Sequence, residues 1–542
     1  MLLPILASSF LAYATGLTAA VNDPNSHGVV GDALLSLDEA IRLGNGTLAL
    51  AALSPSELAR ITGAGTVIEF ISIDAATTPT IVLQSLLTDI LGTGVHLKIQ
   101  GTGMPTIQGG NLARVFAIRA HLVHLEDVRI VGGQVGIDAR MAGGSTPATH
   151  LQLIHGVELD GQTVAGLRVH GSGTDESMVF LKESTLTNMP VGFLLDDTTA
   201  GGGMVMAECE HVHMDGVAIG CRVLESGAGG NMSMFNMFRS SFTNGVTLAE
   251  KRRTPGSGQQ FMFRIVFTTA TCTGPVLDIE GQASGLTMVH HHHSDFVTAP
   301  GQKALWIYPR TAEFDIHGSE MQFDGDVSIA ANLSSMRIWQ QNNRYRNGTV
   351  TFDVDGALPN LLWNHYENCS IVVPVTARSP VVVRNSQLLS TTVNSTSFLA
   401  PITLQTCLRV GGSIAGFTTE QLPAPAPFLG TTTVSPAEPQ VGTSLQLATD
   451  LPFGIGLVWD FVISYPRPST TGEPVRFYGD PATVIVLPAV VLFQSTMSVP
   501  IPNTASLAGL EFYVQGISLP LIGQSYAPAY HLPRGQLILL QP

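Results

Sequence analysis

Short runs of alternating apolar and polar residues recur through the middle of the chain, each followed by a Gly-containing corner and a second apolar run. In one example, Val157–Gly161 leads into Val164–Val169. From Gly133 to Gly348 the pattern takes eight steps, which gives a repeat of about 27 residues. Such alternation is typical of a strand with one buried face. The pattern therefore predicts a repeat built from short strands.

The corners of the repeat indicate how these strands are connected. Asp160, Asp215 and Asp324 each directly precede Gly, a pairing that supplies the positive φ of a sharp turn. We interpret these aspartates as turn residues and not as calcium ligands. The strands are not separated by helix-length apolar patterns, which excludes a sheet with helical crossovers. Three short strands and three bends fit one repeat, so the sequence predicts a parallel β-helix of about 10–12 coils.

The segments that flank the repeat predict a cap and a second domain. Ser36–Glu39 is a capping box that opens a short helix, and a second helix is expected at Ser56–Ile61. We assign residues 21–65 to this cap and residues 66–418 to the β-helix. A Pro-rich linker follows at 419–443. The alternating runs of 444–542, separated by Pro-rich turns, predict an antiparallel β-sandwich.

The first 20 residues are apolar and end in small residues, a pattern that predicts an export signal with cleavage before Val21. No Lys or Arg precedes the apolar run, and a buried strand or a short membrane anchor are the alternatives. No later segment has 18 uninterrupted apolar residues, so we expect no membrane span after signal removal. The expected location is secreted or at the cell surface.

Composition narrows the function classes. The formal net charge is −15 and charged residues make up 12% of the chain, against about 25% in an ordinary soluble protein. A chain this apolar is not disordered, and an acidic balance argues against a nucleic-acid partner. Five Cys residues form no disulfide framework. The closest pair, Cys209 and Cys221, falls in predicted strands, where we expect buried thiols.

Three segments resemble known families. Ser36–Arg42, with Asn45-Gly46-Thr47 after it, resembles the Ser-Leu-Arg-Glu-Ala-Ile motif of secreted bacterial β-helix proteins, with Asp38 at the usual Arg position. His96–Gly101 and Pro105–Gly110 are similar to the first coils of pectin-lyase-like proteins, which implies a right-handed, single-stranded helix. Residues 499–516 resemble a C-terminal domain of exported planctomycete proteins. This resemblance concerns the fold and leaves the function open, because the superfamily holds lyases, hydrolases, adhesins and phage spikes.

One group of residues is a candidate for polysaccharide cleavage. Hydrolases of the polygalacturonase kind use carboxylates on neighbouring coils, and the only Asp-Asp pair in this chain is Asp196-Asp197. His170 falls on the preceding coil, and the same strip includes Arg168, Arg222 and Glu225. The family's Asn-Thr-Asp and Gly-His-Gly segments are missing. The alternative is a solvated outer corner without catalytic function.

The 16 histidines raise the question of a metal site. On a strand, residues i and i+2 share a face, so His290 and His292 point together. Two imidazoles on one face can bind Zn²⁺, Ni²⁺ or Cu²⁺. His155, Glu183 and His211 are candidates for a stack on consecutive turns. No third converging ligand is evident from the sequence, and we predict no metal and no cofactor.

Trp306, Trp339 and Trp363 fall about one per coil, which favours either an aromatic ladder for sugar rings or a core stack. The leading hypothesis is an exported, non-catalytic surface or matrix protein whose β-helix binds a polysaccharide or a cell-surface glycan. The alternative is a polysaccharide lyase or glycoside hydrolase with Asp196, Asp197 and His170 as catalytic residues. Self-assembly into filaments through the sandwich is a third option. The sequence leaves the oligomeric state open.

Overall fold

The structure is a computed structural model. It describes residues 16–541 except 27–29, 92–95, 141–148, 172–175, 198–202, 226–231, 253–259, 281–285, 309–312, 333–337, 357–358, 385, 406, 422–430, 437, 451–456, 465–484, 490–495 and 521–535. Residues 1–15 of the predicted signal lie outside this described part.

Most described strands belong to three long, mainly parallel sheets of 17, 15 and 13 strands, which we name sheets A, B and C. Sheet A contains Leu17–Val21, Ile61–Gly63, Ile68–Asp74, Leu97–Thr102, Leu122–Glu126, Thr149–His155, Glu176–Lys182, Met204–Glu210, Met232–Phe238, Gln260–Val266, Leu286–His292, Glu313–Ser319, Ile338–Gln341, Asn360–Leu362, Val381–Arg384, Ile402–Gln405 and Thr418–Gln421. Sheet B contains Asn25–Ser26, Thr80–Leu83, Thr106–Gly110, Arg129–Gly132, Glu158–Asp160, Thr185–Thr187, His213–Asp215, Ser241–Gly245, Thr269–Cys272, Asp295–Thr298, Gln322–Asp324, Arg344–Arg346, His365–Glu367, Gln387–Leu389 and Leu408–Val410. Sheet C contains Arg114–Ile118, Val135–Arg140, Ala165–His170, Val191–Asp197, Ile219–Glu225, Thr247–Arg252, Leu277–Glu280, Lys303–Tyr308, Asp326–Asn332, Thr349–Asp355, Ser370–Val373, Thr392–Ser395 and Ile414–Gly416.

This arrangement confirms the predicted parallel β-helix, in which each coil gives one strand to each sheet. The coil length varies along the chain: Thr185 lies beside His213, 28 residues on, whereas Arg344 lies beside His365, 21 residues on. Between Ile68 and Gln421, sheet A has fifteen described strands. The prediction of 10–12 coils was therefore too low, because it extended the 27-residue period into a region of shorter coils.

The chain divides into two compact units. Unit 1 comprises Met1–Arg264 and Thr268–Thr287, and unit 2 comprises Ile265–Phe267 and Met288–Pro542. In unit 1 the interior is aliphatic and aromatic, with Phe193, Phe235 and Phe263 fully buried. In unit 2 the interior includes buried tyrosines as well.

The corner between sheets A and B is formed by single residues in the left-handed region. In unit 1, for example, Glu183 has φ 47° and its backbone N–H donates to the carbonyl of Glu210 on the next coil at 3.0 Å. The next residue, Ser184, accepts a hydrogen bond from the backbone N–H of Val157 on the preceding coil, also at 3.0 Å. These contacts continue the hydrogen bonding of the sheets around the bend, which offsets the cost of about 1–2 kcal/mol for a left-handed side-chain residue. The residues at this corner with φ between 47° and 54° are Asp127, Glu183, His211, Arg239, Phe267, His293, Glu320, Asn342 and Trp363.

The corner after sheet B uses the predicted aspartates. The Asp160 carboxylate accepts hydrogen bonds from Thr187 Oγ1 and Asn188 Nδ2, both at 2.9 Å, on the next coil. These hydrogen bonds, with that of Asn188 the largest cause, hold the pKa of Asp160 below its ordinary value. Asp215 and Asp324 accept equivalent bonds from the asparagines one coil on. The three aspartates therefore connect successive coils.

The N-terminal cap is built as its sequence indicates. Helix Leu37–Gly44 starts at a complete capping box, in which Ser36 Oγ accepts from the backbone N–H of Glu39 and the Glu39 carboxylate accepts from that of Ser36. The second helix, Pro55–Leu58, is shorter than expected because the chain continues into strand Ile61–Gly63. That strand pairs antiparallel with Leu17–Val21, within the range assigned to the signal and its cleavage site.

Seven described strands of the C-terminal region form two antiparallel sheets. One contains Thr431–Ser435, Ser444–Asp450 and Thr496–Pro500, and the other contains Leu457–Ser464, Ile485–Ala489, Glu511–Pro520 and Gln536–Leu539. Apolar side chains from both sheets, among them Leu447, Val514 and Ile538, pack into one buried cluster. The predicted antiparallel sandwich is present, and its first strand lies inside the range assigned to the linker. The run expected at Val475–Tyr478 lies outside the described residues.

The cysteines carry no disulfide. All five are free and buried, and burial raises the pKa of Cys209 and Cys221 well above the ordinary thiol value. The prediction of buried thiols at these two positions is confirmed. None of the helices in the described part of the chain has the length and apolarity needed to span a membrane.

Candidate functional site

The adjacent carboxylates Asp196 and Asp197 point to opposite sides of strand Val191–Asp197, as consecutive strand residues do. Asp197 faces the interior, where it is 1% exposed and accepts a hydrogen bond from Ser233 Oγ at 3.0 Å. Asp196 faces outward, where Arg168 NH2 lies 2.7 Å from its Oδ2 atom. The two carboxylates therefore do not flank a common point where a glycosidic bond could lie.

His170 does lie beside Asp196, as part of a chain of charged groups on the outside of sheet C in unit 1. Its Nδ1 atom is 3.5 Å from Asp196 Oδ2, and its Nε2 atom is 2.9 Å from Asp138 Oδ1. Burial alone would raise the pKa of Asp138, but the hydrogen bond with His170 and the charges of Arg119 and Arg168 outweigh it and lower that pKa. A general acid needs a raised carboxyl pKa, so Asp138 is poorly suited to this role.

These contacts favour a structural reading of the strip. Further along sheet C, Arg222 contacts Glu250, and Arg252 contacts both Glu250 and Asp278. Acidic and basic groups thus alternate from coil to coil and neutralise one another. The side chain of Glu225, which the sequence places in the same strip, lies outside the described residues.

The structure separates the three tryptophans assigned to a ladder. Trp306 lies on strand Lys303–Tyr308 of sheet C, and Trp339 lies on strand Ile338–Gln341 of sheet A. Trp363 occupies the corner between sheets A and B. All three are half-buried, so they form neither a shared ladder nor a core stack.

Trp306 instead forms an aromatic pair on the outside of sheet C in unit 2. Its ring stacks on that of Tyr308, two residues on, with centroids 3.9 Å apart and an interplanar angle of 23°. Lys303 Nζ lies 5.7 Å from the Trp306 ring centroid, within the range of a cation–π contact. Because these three residues alternate along one strand, they share its outer face.

Tyr308 lines an open groove of about 760 Å³ on this face. Ala330 and Asp353 lie level on the next two coils, because Ile307 pairs with Ile329 and Ala330 pairs with Asp353. The groove is completed by residues that follow the strands of later coils. Its lining residues are Tyr308, Ala330, Asp353, Val375, Thr376, Arg378 and Leu399.

The groove combines apolar and charged groups. Val375 is 73% exposed and Leu399 is 51% exposed, which is unusual for aliphatic side chains. Thr376 Oγ1 donates to Asp353 Oδ1 at 2.9 Å and orients that carboxylate, and Arg378 adds a guanidinium. An apolar wall with a few oriented polar groups is the usual composition of a ligand site. The sequence pattern did not identify Tyr308, Asp353 and Arg378, because the coil lengths that bring them together vary.

The histidines are brought together at one place that the sequence did not identify. In unit 1, His155 Nε2 lies 3.3 Å from the Glu183 carboxylate, and both side chains are exposed. In unit 2, His292 pairs with Ser319 Oγ at 2.8 Å. Among the described residues, the one group with three donor atoms placed to share a metal ion is His290, Asp315 and His317.

Comparison with known proteins gives no relative: no family model, no curated protein and no solved structure matches this chain. The function must therefore be argued from the residues themselves.

Proposed function

We propose that the protein is an exported, non-catalytic surface or matrix protein that binds glycans through the side of its β-helix. The observation that carries this proposal is the Trp306–Tyr308 pair beside the groove on sheet C. Its partner is a polysaccharide or a cell-surface glycan, bound in extended form along successive coils.

Sugar binding suits this groove for two physical reasons. The apolar faces of pyranose rings stack on exposed aromatic rings, which lose little conformational entropy on binding. Sugar hydroxyls need oriented hydrogen-bond donors and acceptors at the rim, and Asp353, Thr376 and Arg378 supply both. An open groove along a stack of coils accommodates a chain without requiring that its ends enter a closed pocket.

The catalytic alternative has weaker support. A lyase or hydrolase requires carboxylates or a base that converge on one bond. Asp196 and Asp197 face opposite sides of their strand, and His170 and Asp196 are engaged by charged neighbours. The non-catalytic proposal therefore takes precedence.

The binding proposal is tested with the full chain against a panel of acidic and neutral polysaccharides, by affinity electrophoresis and calorimetry. We expect saturable binding to at least one of them, without release of reducing ends or unsaturated products. Trp306→Ala and Tyr308→Ala should each weaken that binding at least tenfold, which corresponds to about 1.4 kcal/mol.

A matched control for this test is Trp339→Ala, which removes a half-buried indole from sheet A, away from the groove face. Its affinity should equal that of the unchanged protein. Binding that survives both groove substitutions would place the glycan elsewhere. Product release that is lost in Asp196→Ala and Asp197→Ala would establish the enzyme instead.

Export is proposed on the apolar N-terminal segment, with a revised cleavage position. Cleavage after Ala20 would remove most of strand Leu17–Val21, whose Ala19 side chain is fully buried and which pairs with Ile68–Asp74. An Ala-Tyr-Ala sequence at residues 12–14 fits the small-residue rule of signal cleavage and leaves this strand intact.

We therefore expect the mature protein, exported from a bacterial host, to begin at Thr15. N-terminal sequencing and intact mass measure this directly. Ala14→Val should block processing, whereas Ala20→Val, its matched control, should not. A mature chain that begins at Val21 would contradict the revision, and an unprocessed chain would contradict the signal itself.

A further inference from the structure

Three side chains from two successive coils of unit 2 converge on the outer face of sheet A. His290 Nε2 lies 3.4 Å from Asp315 Oδ2, and His317 Nε2 lies 2.7 Å from Asp315 Oδ1. One ligand atom from each residue lies within 4.8 Å of the other two. The cluster thus presents two imidazole nitrogens and one carboxylate to a common point.

The β-helix itself places these residues. Asp315 and His317 are two residues apart on strand Glu313–Ser319 and therefore share a face. His290 lies on the preceding strand of the sheet, and its ring stacks on that of His317 with centroids 4.9 Å apart and an angle of 22°. This separation equals the ordinary spacing between neighbouring strands, so the stack requires no distortion.

The environment of His317 distinguishes the cluster from a simple hydrogen-bonded pair. Its residue is 6% exposed, and its Nε2 atom makes no hydrogen bond of acceptable geometry despite the short distance to Asp315. The nitrogen is therefore directed beside the carboxylate and not at it. A buried ring nitrogen without a hydrogen bond is costly unless another ligand satisfies it.

We propose that His290, Asp315 and His317 bind one divalent transition-metal ion. Imidazole nitrogen and carboxylate oxygen at about 2.0–2.2 Å are the donors that Zn²⁺ takes in proteins. Two histidines with one carboxylate are also a recognised donor set for Fe²⁺. Ca²⁺ and Mg²⁺ prefer all-oxygen sites and are disfavoured. Three protein ligands leave at least one coordination position for water, and the partly exposed side chain of Asp315 gives access from solvent.

The neighbour of the cluster provides a spectroscopic reporter. The Trp339 ring stacks on that of His317, with centroids 5.7 Å apart and an interplanar angle of 24°. A paramagnetic ion bound by His317 would lie close enough to quench the fluorescence of this indole. The other three tryptophans of the chain belong to other positions, so replacement of Trp339 identifies its share of the signal.

The site is tested by calorimetry and equilibrium dialysis with Zn²⁺ alone, on the full chain after treatment with a chelator. We expect one ion per chain, bound at least 30-fold more tightly than by Asp315→Asn or His317→Ala. Asp315→Asn keeps the size of the side chain, and circular dichroism checks that it is folded. If it is not, His290→Gln serves in its place.

A matched control is His155→Ala, which removes an exposed histidine next to a carboxylate in unit 1 and should leave the affinity for Zn²⁺ unchanged. Co²⁺ should quench part of the tryptophan fluorescence, and Trp339→Phe should abolish that part. The proposal is overturned if Zn²⁺ does not bind, or if its affinity is the same in Asp315→Asn and His317→Ala. These results are independent of glycan binding, because the groove lies on sheet C.

Discussion

Tyr513→Ala should destabilise unit 2 by about 3–5 kcal/mol, the usual cost of removing a large buried aromatic side chain. Tyr513 lies on strand Glu511–Pro520 of the C-terminal sandwich and is completely buried. Its hydroxyl donates to Glu320 Oε2 at 2.8 Å, at the corner between sheets A and B. The substitution therefore removes the contact between the sandwich and the coils of unit 2.

The groups around Tyr513 explain why the loss is large. Glu320 is fully buried, and His293 Nδ1 lies 3.1 Å from the same carboxylate oxygen. The His293 ring stacks on Phe267 at 4.5 Å and meets the Tyr513 ring edge-on at 5.2 Å. A buried carboxylate that loses its phenol donor keeps its desolvation cost without full compensation.

Tyrosine fluorescence is not needed to follow this unfolding, because all four tryptophans of the chain lie in unit 2. Urea unfolding monitored by tryptophan fluorescence gives the free-energy change. Tyr513→Phe keeps the ring and should cost only about 1–3 kcal/mol. The control is Phe398→Ala, where a 70% exposed ring is lost and a change within about 0.5 kcal/mol is expected. If Tyr513→Ala behaved like that control, the contact would not stabilise the protein.

The fold could be predicted because its turn chemistry is written in the residues of one corner. Asp-Gly pairs such as Asp160-Gly161 mark the bend after sheet B and set the repeat. The other corner is not marked, since residues as unlike as Phe267 and Trp363 adopt the same left-handed conformation there. At that corner the backbone bonds between coils and the side chain that follows determine the bend, so no single residue type identifies it.

The candidate sites depended on coil register, which the sequence leaves undefined wherever the coil length changes. Trp306 and Trp339 are 33 residues apart, but the residue level with Trp306 on the next coil is Ser328. A ladder built on even spacing therefore fails. The ligands of the proposed metal site were missed for the same reason: Asp315 and His317 lie a coil beyond the His290 run, and only the register brings them together.

The interior of unit 2 contains an aromatic stack along sheet B that the repeat pattern did not reveal. Tyr345 lies between Phe323 and Tyr366 on the neighbouring coils, with ring centroids 5.2 Å and 4.8 Å away and interplanar angles of 15° and 6°. Its hydroxyl donates to Gln340 Oε1 at 3.1 Å and accepts from Asn343 Nδ2 at 3.3 Å. The stack thus joins an apolar column to a buried polar network.

Tyr345→Ala should lower the free energy of unfolding of unit 2 by about 4–6 kcal/mol. Removal of a buried aromatic ring costs about 3–5 kcal/mol, and the lost ring contacts add about 1 kcal/mol. Tyr345→Phe keeps the stack and loses only the hydroxyl, so it should cost about 1 kcal/mol. Urea unfolding of both variants, followed by tryptophan fluorescence, separates the two contributions. Equal losses in Tyr345→Ala and Tyr345→Phe would mean that the polar network stabilises the coils and that the stack does not. A loss confined to Tyr345→Ala would show that ring packing between coils carries the stability.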